Sequence, residues 1–427
     1  MSEASMAETV QASAPATPTE ESERISSLDV LRGIAILGIL IMNIQMFAMI
    51  DSAYFNPTAY GDLTGVNLGV WTFSQVFASM KFLTIFSMLY GAGIVLLTAR
   101  VEARGLKPAG VHYRRTFWLL IIGLAHAYLL WHGDILVPYA LCALVVYLFR
   151  RMSPKWLLIF GIISLSVASA IYLLVSATLP FWPPEATEQM GTFWNPSPET
   201  VGELLAVYRG GWTGQLLNRI VASFMVQTSS MLAFIGWRAG GCMLIGMALY
   251  KWGVLSAQRS ARFYIIGAVA GLIVGLPLTI FGITRDFATG WSVESSLFGN
   301  MHYNYWGSLF TAFAYICLVM LICRQGYLKR ITSALAPVGR MAFTNYLFQS
   351  LIGTFLFYGQ GFALYGKVDR WAQLLIVFAI WAVLIPFSNY WLKRYRFGPV
   401  EWLWRSLTYK KYQPMRRREP GPLLAEA

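Results

Sequence analysis

Asp29–Ile50 reads D-V-L-R-G-I-A-I-L-G-I-L-I-M-N-I-Q-M-F-A-M-I, and from Gly33 onward its 18 residues carry no charge. A helix of that length crosses a hydrocarbon core of about 30 Å. Nine further apolar runs follow, near residues 72–97, 115–132, 134–149, 156–179, 220–250, 263–283, 305–323, 341–359 and 371–392. The pattern predicts an all-α, polytopic helical membrane protein of about ten transmembrane helices. The sixth run is too long for one straight crossing, so its first turns are expected along the membrane surface.

Composition agrees. Of 427 residues 57% are hydrophobic and 12% charged, about half the charge of a soluble domain. The net charge of +13 points to topology rather than to nucleic acid. Ten helices with both termini in the cytoplasm place 26 of the 33 Lys and Arg on the inner side and five on the outer, as the positive-inside rule requires. The remaining two, Lys81 and Arg238, fall inside spans. The four cysteines lie in or at the ends of apolar runs without C-x-x-C spacing, and read as small buried hydrophobes.

Residues 1–27 read as a disordered acidic cytoplasmic tail, residues 28–410 as one membrane domain and residues 411–427 as a basic, disordered cytoplasmic tail. Within the membrane domain, residues 180–219 form a long outside loop. Its prolines and its Trp182, Trp194 and Trp212 suit a connector or lid lying on the membrane surface.

Ionisable groups inside a span cost about 2.5–3.5 kcal/mol near the centre on insertion scales, so each is a candidate functional residue. They are Lys81, His126, His132, Asp134 and Arg238, with Asn43 as a polar neighbour. His126 and His132 are six residues apart and do not share a helical face, so the pair suggests no metal site. An imidazole near neutral pH can take a proton from an attacking hydroxyl or amine. Asp134 could fix its tautomer, and Lys81 or Arg238 could stabilise developing negative charge. The structural alternative pairs Asp134 with Lys81 or Arg238.

Seven ordered motifs carry a resemblance over about residues 24–410. They are R-I-S-S-L-D-V-L-R-G from Arg24, K-F-L-T-I-F-S-M-L-Y-G-A-G from Lys81, R-R-T-F-W-L-L-I-I-G-L-A-H from Arg114 and G-D-I-L-V-P-Y-A from Gly133. R-A-G-G-C-M-L-I-G-M-A-L-Y follows from Arg238, G-R-M-A-F-T-N-Y-L-F-Q-S from Gly339 and G-P-V-E-W-L-W-R from Gly398. The chain resembles the YeiB-like family of bacterial inner-membrane proteins. More remotely it is similar to integral-membrane acyltransferases, which share the L-D-x-x-R-G opening and include sugar O-acetylating enzymes.

The resemblance implies transfer of a small acyl group from cytoplasmic acyl-CoA to an outward-facing hydroxyl or amine of a glycan, lipid or small molecule. It implies a donor entrance lined by basic side chains such as Arg32, Arg114 and Arg115. Where the O-acetylating branch carries a catalytic histidine near the outer end of the first span, this chain has Asn43. Asparagine can donate a hydrogen bond to an oxyanion but cannot act as a general base. The base is then expected at His126, oriented by Asp134, with Lys81, Arg238 and Asn43 around the oxyanion. The competing expectation is a transporter or channel whose helices break at Pro138, Pro277 and Pro386.

Overall fold

The computed structural model describes residues 25–417. The acidic tail expected over residues 1–27 lies almost wholly outside the described residues, as does the end of the basic tail. In chain order the helices are α1 (Ser26–Ala48), α2 (Ser52–Phe55), α3 (Gly65–Phe77), α4 (Lys81–Ala103), α5 (Pro108–Leu129) and α6 (Leu136–Val146). Then come α7 (Pro154–Thr178), α8 (Pro184–Trp194), α9 (Pro198–Arg209), α10 (Leu216–Met225), α11 (Gly236–Lys251) and α12 (Ala261–Ala288). The last five are α13 (Met301–Gln325), α14 (Lys329–Arg340), α15 (Ala342–Phe357), α16 (Arg370–Arg394) and α17 (Pro399–Tyr409). No strand forms among the described residues beyond one isolated bridge, Tyr395 to Arg416.

Among the described residues, seven helical stretches are long and apolar enough to cross a membrane, with mean hydropathies of 1.5 to 2.4. They are α1, α3 with α4, α7, α10 with α11, α12, Glu294–Gln325 and α16. The other three runs read as spans correspond to α5, α6 and α15. The 11 residues of α6 rise only about 16 Å, half a hydrocarbon core.

Burial sorts the helices. Within its most apolar window α1 is 78% buried, whereas α7 is 22% and α12 and α16 are 28% buried. The first helix is therefore the axis of the bundle, and the other three turn most of their apolar surface outward. Helix α4 meets α11 through reciprocal glycines. A Cβ on Gly91 would strike the Met243 carbonyl, and one on Gly246 would strike the Met88 carbonyl.

Several local expectations are corrected. The run at 72–97 is not one helix, because the chain breaks at residues 78–80, with Met80 at φ 64°. Lys81 consequently opens α4 instead of lying mid-helix. Residues 180–219 are not an extended loop, because they fold into α8, α9 and the start of α10. Pro184 and Pro198 open two of these helices, where a proline loses no intrahelical donor. Trp194 is buried, its Nε1 donating to the Trp291 carbonyl at 2.7 Å, whereas Trp182 and Trp212 are exposed, the Trp212 Nε1 donating to the Leu129 carbonyl at 2.8 Å. Pro277 and Pro386 break nothing, since α12 and α16 run through them, and Pro138 sits in the first turn of α6. The irregular backbone lies elsewhere, at residues 78–80 and in the π-helical segments Val226–Ile235 and Glu294–Asn300.

Candidate functional site

A cavity of about 230 Å³ runs between α1, α4, α5, α15 and α17. Each of the first three helices gives it one face at helical spacing: Leu28, Asp29 and Arg32 on α1, Leu89, Gly93 and Arg100 on α4, and His112, Arg115 and Leu119 on α5. Five guanidinium groups line it, those of Arg32, Arg100, Arg115, Arg340 and Arg405, against the carboxylates of Asp29 and Glu401.

Both carboxylates are engaged. Asp29 Oδ1 accepts from Arg32 at 2.8 Å. Glu401 accepts from the Phe343 and Thr344 amides at 2.7 and 3.0 Å and from the Thr344 hydroxyl at 2.5 Å, so it caps the first turn of α15. Burial pushes the Glu401 carboxyl up from its ordinary range, opposed by those hydrogen bonds. The cavity is thus a basic mouth leading to an apolar interior.

Of the three arginines expected at a donor entrance, Arg32 and Arg115 line this cavity. Arg115 lies over the Trp404 ring at 4.2 Å. Arg114 does not line it; its Nε donates to the Thr408 carbonyl at 2.9 Å and fastens α17 to α5. Arg100, Arg340 and Arg405 were missed. Two of them were within reach, because Arg340 and Arg405 stand inside motifs quoted above for the family resemblance.

His126 and Asp134 meet at the far end. Helix α5 stops at Leu129, the His126 carbonyl accepts from the Leu130 and Trp131 amides, and the chain reverses into α6. The reversal sets Asp134 Oδ1 2.7 Å from His126 Nδ1. Asp134 Oδ2 accepts from the Val137 amide at 2.7 Å, so both carboxylate oxygens are fixed. Each of the two side chains is 2% exposed. The other ring nitrogen, His126 Nε2, is buried without a hydrogen-bond partner. Against this imidazole lies the Tyr346 ring, with centroids 5.2 Å apart, and Tyr346 also forms part of the cavity wall. Tyr346 thus borders both the cavity and the histidine. Asn43 is half-buried on α1, outside the cavity wall and one turn before Phe47, whose ring packs on Trp131 at 4.1 Å.

His132 does not join this pair. Its Nε2 lies 3.2 Å from Asp51 Oδ1 and ties the α5–α6 turn to the end of α1. Burial pushes this imidazole down, but the Asp51 carboxylate outweighs it and the net shift is upward. A raised value means stabilisation that is full below the ordinary imidazole pKa and fades as pH rises through the folded value. The melting temperature of wild type should therefore fall on moving from mildly acidic to alkaline pH more than that of His132→Gln does. Thermal unfolding across that range checks it.

Lys81 and Arg238 are brought together, but away from both the cavity wall and Asp134. Lys81 Nζ donates to the Gln75 carbonyl at 2.9 Å and to Asn304 Oδ1 at 2.7 Å. Arg238 donates to Thr84 Oγ1 at 2.9 Å, to Ser308 Oγ at 2.7 Å and to the Tyr305 carbonyl at 3.1 Å. The proposed pairing of either cation with Asp134 is not formed.

With this geometry in place, the chain can be set beside known proteins. Residues 249–411 match a family described as a protein of unknown function, DUF418. The chain is 33% identical over 401 residues to the uncharacterized protein YeiB of Escherichia coli (strain K12), covering 92% of this chain and 98% of that protein. The chain belongs to the YeiB-like family. Uncharacterized protein YxaH of Bacillus subtilis (strain 168) is 32% identical over 421 residues, covering 94% and 98% of the two chains. An uncharacterized 39.9 kDa protein from the amylase 3′ region of Bacillus acidopullulyticus is 27% identical over 403 residues, 93% and 97%. In this YeiB-like chain the DUF418 match contributes Arg340, Tyr346, Glu401 and Arg405 to the cavity. His126, Asp134, Arg32 and Arg115 precede the matched segment.

Proposed function

We propose that this is a multi-pass bacterial inner-membrane protein of about ten helices, with both termini cytoplasmic, that transfers a small acyl group from cytoplasmic acyl-CoA to a hydroxyl or amine presented at the outer side. The observation that carries this reading is His126: its Nδ1 is held by Asp134, its Nε2 is unpartnered, and Tyr346 borders both it and an arginine-mouthed cavity. The charge asymmetry supports a cytoplasmic mouth. Arg115 at the mouth and His126 are eleven residues apart on one helix, a rise of about 16 Å, comparable to an extended pantetheine arm.

In this mechanism the arginines take the donor's phosphates through charge-assisted hydrogen bonds, and the arm lies along the apolar interior past Gly93. His126 Nε2 accepts the proton of the attacking hydroxyl or amine as its oxygen or nitrogen bonds to the thioester carbon. The C–S bond then breaks, and the imidazolium returns the proton to the thiolate. Asp134 keeps the proton on Nδ1 and stabilises the imidazolium. Asn43 can supply a hydrogen bond but no base. Lys81 and Arg238 are left without a part, since neither lines the donor cavity.

Titration calorimetry of acetyl-CoA into the purified protein in nanodiscs tests the donor. The expectation is saturable binding, weakened about tenfold (1.4 kcal/mol) or more by Arg32→Ala and by Arg115→Ala. A folded wild type that binds no acyl-CoA, or variants that bind as wild type does, would refute the reading.

A further inference from the structure

We propose that Lys81 and Arg238 form a second binding site, for one small monovalent anion, at the junction of α4, α11, α12 and α13. The inference does not rest on acyl transfer.

Both cations are buried, Lys81 at 0% and Arg238 at 6% exposure. Every hydrogen-bond acceptor given for them is neutral: carbonyls, an amide oxygen and hydroxyls. The Tyr305 ring, 4.5 Å from the Arg238 guanidinium, adds only its π face. Neither cation makes an ion pair among the described residues, in contrast to Arg32 with Asp29 and Arg151 with Glu102. Neutral partners satisfy donors but leave the charge, and desolvating an ion costs several kcal/mol. The two charges also lie close together. Lys81 and Thr84 are three residues apart on one face of α4, and Thr84 accepts from Arg238. The N-terminus of α4 opens at Lys81 and adds a third positive source.

The backbone points to the same place. The break at residues 78–80 immediately precedes Lys81. The π-helical segment Val226–Ile235 immediately precedes α11, whose third residue is Arg238. The segment Glu294–Asn300 immediately precedes α13, which contributes Asn304, Tyr305 and Ser308. Two helical stretches are thus interrupted, and a third opens irregularly, next to the residues that surround two buried cations. Irregular backbone in a membrane-spanning bundle is kept where it lines a site, and such interruptions direct helix ends at ions. π-Helical turns collect at functional positions.

The shell can turn to receive an anion. Thr84, Thr279 and Ser308 carry rotatable hydroxyls. Asn304 now offers its oxygen to Lys81 and its nitrogen to Ser79 Oγ, so an amide flip would present a donor instead. Size is limited by the close approach of α12 and α13, where a Cβ on Gly275 would strike the Gly307 carbonyl and Thr311. The ligand is a halide or the carboxylate of a small solute, both singly charged.

Thermal unfolding of the purified protein in nanodiscs, followed by tryptophan fluorescence, separates these sources. Potassium chloride, bromide, acetate or phosphate replaces gluconate at constant ionic strength. A saturable rise in Tm with chloride and bromide identifies a halide site, and one with acetate alone a carboxylate site. Lys81→Met should abolish the rise without melting below wild type in gluconate, because an apolar side chain removes the desolvation cost. Thr84→Val, which keeps both charges, should raise the half-saturating concentration about tenfold and serves if Lys81→Met does not fold. Equal Tm in all salts, a rise that persists in Lys81→Met or keeps the wild-type half-saturating concentration in Thr84→Val, or saturation by phosphate alone would overturn the proposal.

Discussion

His126→Ala should lower acyl transfer by about 10²–10⁴-fold, the range contributed by a positioned acid–base group, while acetyl-CoA binding stays within twofold of wild type. The split is expected because His126 packs on Tyr346 and does not itself line the donor cavity. A purely structural histidine would behave differently. Loss of the imidazole strands the Asp134 carboxylate, 2% exposed and bonded only to the Val137 amide, so the melting temperature falls under either reading, but for a purely structural histidine binding would fall with it. Asp134→Asn supplies the control, because an amide can still accept from Val137 but cannot stabilise an imidazolium. It should cost activity and shift the pH–rate profile while leaving binding intact. Steady-state rates at saturating donor, beside calorimetry on the same preparations, distinguish the outcomes.

The second large effect concerns assembly. Gly246→Val puts a branched side chain where α11 meets the Met88 carbonyl of α4 with no room for a Cβ. Overpacking of a well-packed interior costs about 1–3 kcal/mol when neighbours can shift. Here the obstacle is helix backbone, so the cost should reach about 3 kcal/mol or more. The predicted result is loss of the monodisperse peak on size exclusion in detergent. Gly93→Ala, on the facing helix α4 but with no atom within 4 Å of the added carbon, should leave that peak unchanged.

How much of this was legible in the chain depends on distance along it. Helix α1 was readable because an uncharged 18-residue run has few other uses. The His126–Asp134 pair was readable because seven residues, one of them a glycine, separate the partners across a reversal. The break before Lys81 was not, since Ala78, Ser79 and Met80 include neither glycine nor proline. The π-helical segments likewise carry no compositional signal. Pro184 and Pro198 were taken as loop residues although helix starts favour proline equally. The cavity was beyond reach for another reason. Trp404 Nε1 donates to the Arg115 carbonyl across 289 residues, and no local pattern reports such a neighbour.

That long-range contact also sets an order of events in the making of the protein. Helix α1 leaves the ribosome long before α17, yet both contribute walls to one chamber. Everything between them can insert and pack while the chamber still lacks a side, because Glu401 has not yet reached the first turn of α15. A nascent chain released before Gly398 would therefore carry all seven candidate spans of the described residues and still lack one wall of the cavity. Closure of the cavity waits for α17, and a ligand that bound there would report on the docking of α17 as much as on the folding of the bundle.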